Sequence, residues 1–177
     1  SSGYRRLVRM LNLTLHETQN GEPSAILLLA EIDNYETLKA EVRRSTLDAL
    51  TASLELRLKG GVLAGDTICR LEHGRFACVL TPLPSHDAEN VLLIASQIQN
   101  LVAVPLIFQG EAMKLSVSIG CAMTKMATLT TGEMMFDAAT LALADARDKG
   151  PGGLQFYADE MGAKVKLRET LIKDASG

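Results

Sequence analysis

Apolar positions along this chain switch between two spacings, and the switches outline its elements. Leu7, Leu11 and Leu15, with Val8 and Met10 beside them, recur at helical spacing from Tyr4 to about Gln19. Asn20-Gly21-Glu22-Pro23 breaks that helix. Residues 25–32 form a continuous apolar run ending in Glu31-Ile32-Asp33, which predicts a strand buried on both faces. Leu38, Val42, Leu47, Leu50, Leu54 and Leu58 predict one long amphipathic helix over 35–59, stopped by Gly60-Gly61. Two short apolar runs, 66–71 and 75–80, flank Glu72-His73-Gly74 and predict a β-hairpin closed by Pro82 and Pro84. A helix follows to about Val102, with Ser85 or Asp87 as its cap. Residues 104–108 and 113–123 predict a second hairpin around Gln109-Gly110-Glu111. Thr131 to Lys149 reads as a helix halted by Gly150-Pro151-Gly152-Gly153, then a short strand at 154–157 and a last amphipathic segment over 158–173.

The order α-β-α-β-β-α-β-β-α-β-α predicts an α+β domain: a mixed, mainly antiparallel central sheet flanked by helices. No internal boundary falls within 4–157. Ser1-Ser2-Gly3 reads as a cloning remnant, and 158–177 as a connector helix toward a C-terminal domain beyond the chain.

Composition narrows the function classes. The 177 residues carry a formal charge of −3, so no global basic field attracts nucleic acid. Aromatic residues make up 4% with no Trp, which leaves few stacking platforms for single strands. The apolar run from Ala25 to Ala30 is far too short to span a bilayer, and no signal peptide is visible. Cys69, Cys78 and Cys121 are odd in number, lack CxxC spacing and sit in apolar stretches, as reduced core thiols of a cytoplasmic protein do.

Two places set polar groups at strand ends. Glu31 and Asp33 lie two apart and so face the same side of a strand. With a main-chain carbonyl between them they suit a hard divalent cation, although Asp33 also fits as a cap for the next helix. The second place is the hairpin Arg70-Leu71-Glu72-His73-Gly74-Arg75-Phe76, either a binding rim or an ordinary solvated turn.

Together these stretches resemble GGDEF domains, the diguanylate cyclase fold, over roughly residues 4–157. Leu27 to Tyr35 is similar to the family's apolar run followed by D-[IL]-D-x-F. Arg70 to Leu80 takes the place of R-[YL]-G-G-D-E-F and its strand. Leu115-Ser116-Val117-Ser118-Ile119-Gly120-Cys121-Ala122 is similar to V-T-x-S-I-G-x-A, and 139–150 to A-D-x-A-L-Y-x-A-K-x-x-G. The resemblance implies a nucleotide-cyclase, ferredoxin-like core, with GTP and Mg²⁺ as candidate ligands.

The chain departs from the family where chemistry is done. The signature reads Glu72-His73-Gly74-Arg75-Phe76, and only the core Phe is kept. Glu72 and His73 replace the glycines that let the backbone approach a triphosphate. Gly74 stands where a metal-binding carboxylate belongs, and Arg75 reverses the charge of a Glu. Glu31 is the remnant of the metal pair, insufficient by itself for Mg²⁺. The guanine-contacting Asn falls on Lys39 and the next Asp on Ala40, while a later guanine-contacting Asp aligns with Asp48. The phosphate-contacting Lys falls on Arg147 with Lys149 nearby, and an adjacent Arg falls on Pro151. The inhibitory R-x-x-D motif reads Leu63-Ala64-Gly65-Asp66, so only Asp66 remains and the site is expected to be non-functional.

These residues predict a catalytically degenerate GGDEF domain acting as a regulatory or dimerisation module in cyclic-di-GMP signalling. Two other readings stay open. One is a GTP sensor, with Asp48, Arg75, Arg147 and Lys149 as nucleotide-binding residues, that activates an adjacent EAL phosphodiesterase. The other is a weakly active cyclase. The implied partners are neighbouring domains of the same protein, a sensor upstream and an EAL domain downstream, and a second copy in a homodimer. Neither nucleic acid nor membrane contact is expected.

Overall fold

The computed structural model of the chain describes residues 2–18, 22–61, 65–159 and 161. In chain order they form α1 (Ser2–Glu17), β1 (Ile26–Ile32), α2 (Tyr35–Glu41), α3 (Arg44–Gly61), β2 (Thr67–Leu71), β3 (Arg75–Val79), α4 (Ala88–Ala103), β4 (Leu106–Phe108), β5 (Glu111–Met113), β6 (Val117–Met123), α5 (Gly132–Asp148) and β7 (Leu154–Phe156). The main sheet has the order β2-β3-β1-β6-β7, antiparallel except for the β6–β7 edge.

Alternation along β1 sorts the core into two layers. Ile26, Leu28, Ala30 and Ile32 face one side, where Leu50, Leu54 and Leu58 of α3 and Val91, Ala95 and Ile98 of α4 cover them. Leu27 and Leu29 face the other, against Leu7 and Leu11 of α1 and Met135, Ala139 and Leu143 of α5. A strand covered on both faces must be apolar throughout, and all seven residues of β1 are buried. That burial makes the carboxylate of Glu31 conspicuous.

Three sequence expectations are corrected. The single helix over 35–59 is two helices, parted at Val42, whose backbone is extended (φ −112, ψ 156). The apolar repeat explains the break: Leu38 to Val42 is a helical step of four, but Val42 to Leu47 is five, so one helix cannot keep both on one face. The strand over 113–123 is split, because β5 pairs with β4 in a separate two-stranded sheet while β6 pairs with β1. Asp33 caps no helix; Asn34 occupies that position with φ 58 and no side-chain cap. Of the two candidate caps of α4, Asp87 serves, accepting from Asn90 N at 2.8 Å. Residues 2 and 3, read as a cloning remnant, form the first turn of α1. Beyond Asp159 and Met161, the connector segment lies outside the described residues.

Cys69, Cys78 and Cys121 are all buried and free. Burial pushes the Cys78 thiol up to about 12 and that of Cys121 higher still. Thiolate, the reactive form, is therefore scarce at pH 8. An Ellman titration at that pH is expected to find no fast thiol in the folded chain and all three in denaturant; a fast native thiol would contradict this packing.

Candidate functional site

The site lies at the end of β1 where three elements meet. Glu31 pairs across the ladder with Arg75 on β3 and with Ser118 on β6, so these side chains share one rim. Glu31 is 6% exposed. Arg75 Nε donates to its Oε1 at 2.8 Å. Arg147 Nε, from the last turn of α5, forms an ion pair with its Oε2 at 2.9 Å. Each oxygen of this buried carboxylate thus faces a guanidinium, one 25% and the other 52% exposed. A buried carboxylate needs such compensation, and here arginines supply it.

Asp33 organises the same rim. Ser116 Oγ donates to its Oδ2 at 2.6 Å and Ser118 Oγ to its Oδ1 at 2.7 Å. Gly152 N donates to Oδ2 at 2.9 Å, which ties down the turn after α5. From the far side Gln99 Nε2 donates to the carbonyls of Val117, Gly152 and Gly153 at 3.1–3.2 Å. The turn that follows Arg147 is therefore fixed from both sides of the sheet. Ser116 and Ser118, two apart on a strand, were the available signal for this network. Gln99 had none in the sequence.

The signature turn closes over Tyr35. His73 and Gly74 have φ of 63° and 69°. Ile32 N donates to Gly74 O at 2.9 Å, which holds the turn against β1. A Cβ at Gly74 would lie 2.4 Å from Tyr35 Cδ2 and 2.7 Å from its Cγ. The ring occupies the space that a side chain at 74 would need. Burial, then Glu36 and Asp48, raise the Tyr35 phenol above its ordinary value, so it stays protonated at neutral pH.

Tyr35, His73 and Arg75 stand between two clefts. One, of about 590 Å³, is lined by Lys39, Arg44, Asp48, Arg70 and Glu72. The other, of about 430 Å³, is lined by Glu31, Asn34, Glu36, Thr37 and Arg147. The candidate nucleotide-binding set is accordingly divided. Asp48 opens on the first cleft, Arg147 on the second and Arg75 on both. Lys149 lines neither; it is engaged by Asp145 at 3.1 Å and by Gln155. Phe76 is buried on the α3–α4 face. Asp66 accepts from Thr81 N at 2.7 Å, a local tie beside β2. Leu63 and Ala64 lie outside the described residues.

These residues do not fit Mg²⁺. Glu31 faces an arginine at each oxygen, both oxygens of Asp33 accept hydrogen bonds from Ser116, Ser118 and Gly152 N, and Gly74 has no side chain to offer. Among the described residues no three His, Cys, Asp or Glu side chains are grouped to hold a metal ion. No helix among them is long and apolar enough to cross a membrane.

Known proteins fit this architecture. The chain is 24% identical over 148 residues to the bifunctional diguanylate cyclase/cyclic di-GMP phosphodiesterase MucR of Pseudomonas aeruginosa, covering 84% of the chain and 21% of MucR. It spans about a fifth of the length of the curated relatives it matches. Among solved structures, an EAL/GGDEF domain protein from M. capsulatus aligns with a TM-score of 0.72 and 26% identity, over 84% of this chain and 94% of that one. The GGDEF domain of YfiN (TpbB) from Pseudomonas aeruginosa aligns with a TM-score of 0.78 and 19% identity, over 92% and 91%. The model of the family "Diguanylate cyclase, GGDEF domain" matches residues 4–152, and the chain belongs to that family.

Proposed function

We propose that this GGDEF domain makes no cyclic-di-GMP and serves as a regulatory or dimerisation module within a larger signalling protein. The observation that carries the reading is the double engagement of Glu31 by Arg75 and Arg147. Joining two nucleotides by attack of a ribose hydroxyl on an α-phosphate needs charge neutralised at the transferring group and a nucleophile activated. In a metal-dependent cyclase the cation supplies both, and losing such a term removes several kcal/mol of transition-state stabilisation. The two arginines offer charge, but neither is a base. Gly74 and Arg75 also weigh against weak cyclase activity. The likeness to an EAL/GGDEF protein and to MucR supports a place beside a second, phosphodiesterase-type domain.

The test is product analysis after incubation with GTP and Mg²⁺ or Mn²⁺. The chain is expected to form no cyclic-di-GMP; metal-dependent product would overturn the reading. A Gly74→Asp, Arg75→Glu variant is expected to stay inactive as well. Its new Cβ at 74 meets the Tyr35 ring at positive φ, and the pair of changes is expected to cost about 2 kcal/mol of stability. Gain of activity by this variant would show that the ring gives way.

A further inference from the structure

We propose that the groove between the end of α1 and the 124–130 loop is the docking surface for the chain's own segment 161–172, through a stripe of Met161, Val165 and Ile172. This surface is separate from the Glu31 rim, and the inference stands whether or not the domain makes cyclic-di-GMP. Docking there joins α1 to the segment that follows the domain.

The groove has a volume of about 600 Å³. Leu15 and Thr18 line it from the end of α1, and Met126, Ala127 and Leu129 from the loop between β6 and α5. Ala127 and Leu129 are buried, while Met126 beside them is 38% exposed. The loop is held in shape before anything docks. Ala25 N donates to Thr124 Oγ1 at 2.9 Å, and Lys125 N donates to Ser24 Oγ at 3.2 Å. A preformed surface loses little entropy when it is covered.

The chain itself leads into this groove. Tyr157 N donates to Cys121 O at 2.7 Å, which holds the end of β7 against β6. Two residues on, Asp159 lines the groove. Met161 N then donates to Ala158 O at 2.9 Å, and Asp159 and Met161 are helical. From Met161, Val165 and Ile172 follow at steps of four and seven, which places all three on one stripe of a helix. A tethered segment also needs little intrinsic affinity, because its effective concentration is high.

Charge complements the apolar match. Residues 162–173 carry four cations, Lys164, Lys166, Arg168 and Lys173, and one anion, Glu169, a net of +3. Lys164 and Arg168 flank the apolar stripe at helical steps of three and seven from Met161. The rim they would meet is acidic. Asp159 lies in the lining, Glu17 is exposed beside Thr18, and the charge of Lys125 is offset by Glu22 at 3.5 Å. The end of α1 adds the negative pole of its helix dipole.

The test is peroxide oxidation of Met126 in the full chain, read by mass spectrometry against Met134. Met134 is 40% exposed and lines no part of the groove. Met126 is expected to oxidise about tenfold more slowly than Met134. Val165→Asp combined with Ile172→Asp is expected to make the two rates equal. Lys166→Asp, the same change of two charges placed off the stripe, is expected to leave Met126 protected. Equal rates in the unaltered chain would overturn the inference. So would protection that survives the double aspartate variant, or that Lys166→Asp removes just as fully. Proximity is read directly by pairing Met126→Cys with Val165→Cys, which is expected to give a disulfide within one chain under mild oxidation, whereas Met126→Cys with Lys166→Cys is not. A disulfide formed between two chains would assign the groove to a second copy and overturn the inference.

Discussion

Gly120→Ala is expected to lower the stability of the domain by about 3 kcal/mol, a fall in Tm of roughly 6–12 °C for a chain of this size. Gly120 sits in the middle of β6, opposite Leu29, where α5 crosses the sheet. A Cβ there would lie 2.3 Å from Ala139 O, 2.4 Å from Leu143 N and 2.9 Å from Leu143 Cα. All three are backbone atoms, so no rotamer change makes room. The helix itself must lift, which opens the contacts of Met135, Ala139 and Leu143 with Leu27 and Leu29. Lifting α5 also draws Arg147 away from Glu31, so the loss at the core reaches the site. Urea melts of the two proteins measure the difference; a change under about 0.5 kcal/mol, the range of an ordinary surface substitution, would contradict the packing described here.

Asp33→Ala is the second large effect, expected at about 2 kcal/mol. The side chain accepts from Ser116, Ser118 and Gly152 N. Bonds to a charged acceptor are the stronger kind, but Asp33 is only partly buried and water replaces part of them. The loss should be local as well as global, because the Gly152 amide is freed along with the turn after Arg147. Hydrogen exchange at Gly152 is expected to accelerate in Asp33→Ala more than exchange along β1. Asp33→Asn, which keeps one oxygen acceptor, should fall between. Uniform acceleration across the sheet, with Gly152 no faster than the rest, would show that Asp33 acts only on global stability.

Much of this architecture was legible in the sequence because burial writes a simple pattern. The strand at 26–32 stood out because covering both faces leaves no polar alternation. The hairpin around Glu72-His73-Gly74 stood out by its turn residues and flanking runs. The break at Val42 was hidden, since residues on both sides of it favour helix and only the five-residue step to Leu47 signals the change of phase. The division of 113–123 was hidden because pairing partners are a tertiary property. Apolar residues continue through Leu115 although β5 and β6 belong to different sheets.

The candidate site was legible as a set of departures and not as an arrangement. Gly74 and Arg75 were visible as changes from the family's signature. That Arg75 and Arg147 converge on Glu31 from β3 and α5 was not, because residues so far apart in sequence meet only through the fold. Lys149, next but one to Arg147, points to Asp145 one helical turn back, as i, i+4 pairs do. Tyr35 read as the aromatic of a family motif. Its ring against Gly74 means that the glycine supplies space as well as lacking a ligand.

What neutralises Glu31 decides between an arginine-held and a metal-held site. Crystals of the chain soaked with Mn²⁺ and GTP, with anomalous diffraction collected near the manganese edge, put the question most directly. The expected result is no anomalous peak within coordination distance of Glu31, with Arg75 and Arg147 still on its two oxygens. A manganese peak bound to Glu31, with the arginines swung away, would contradict it.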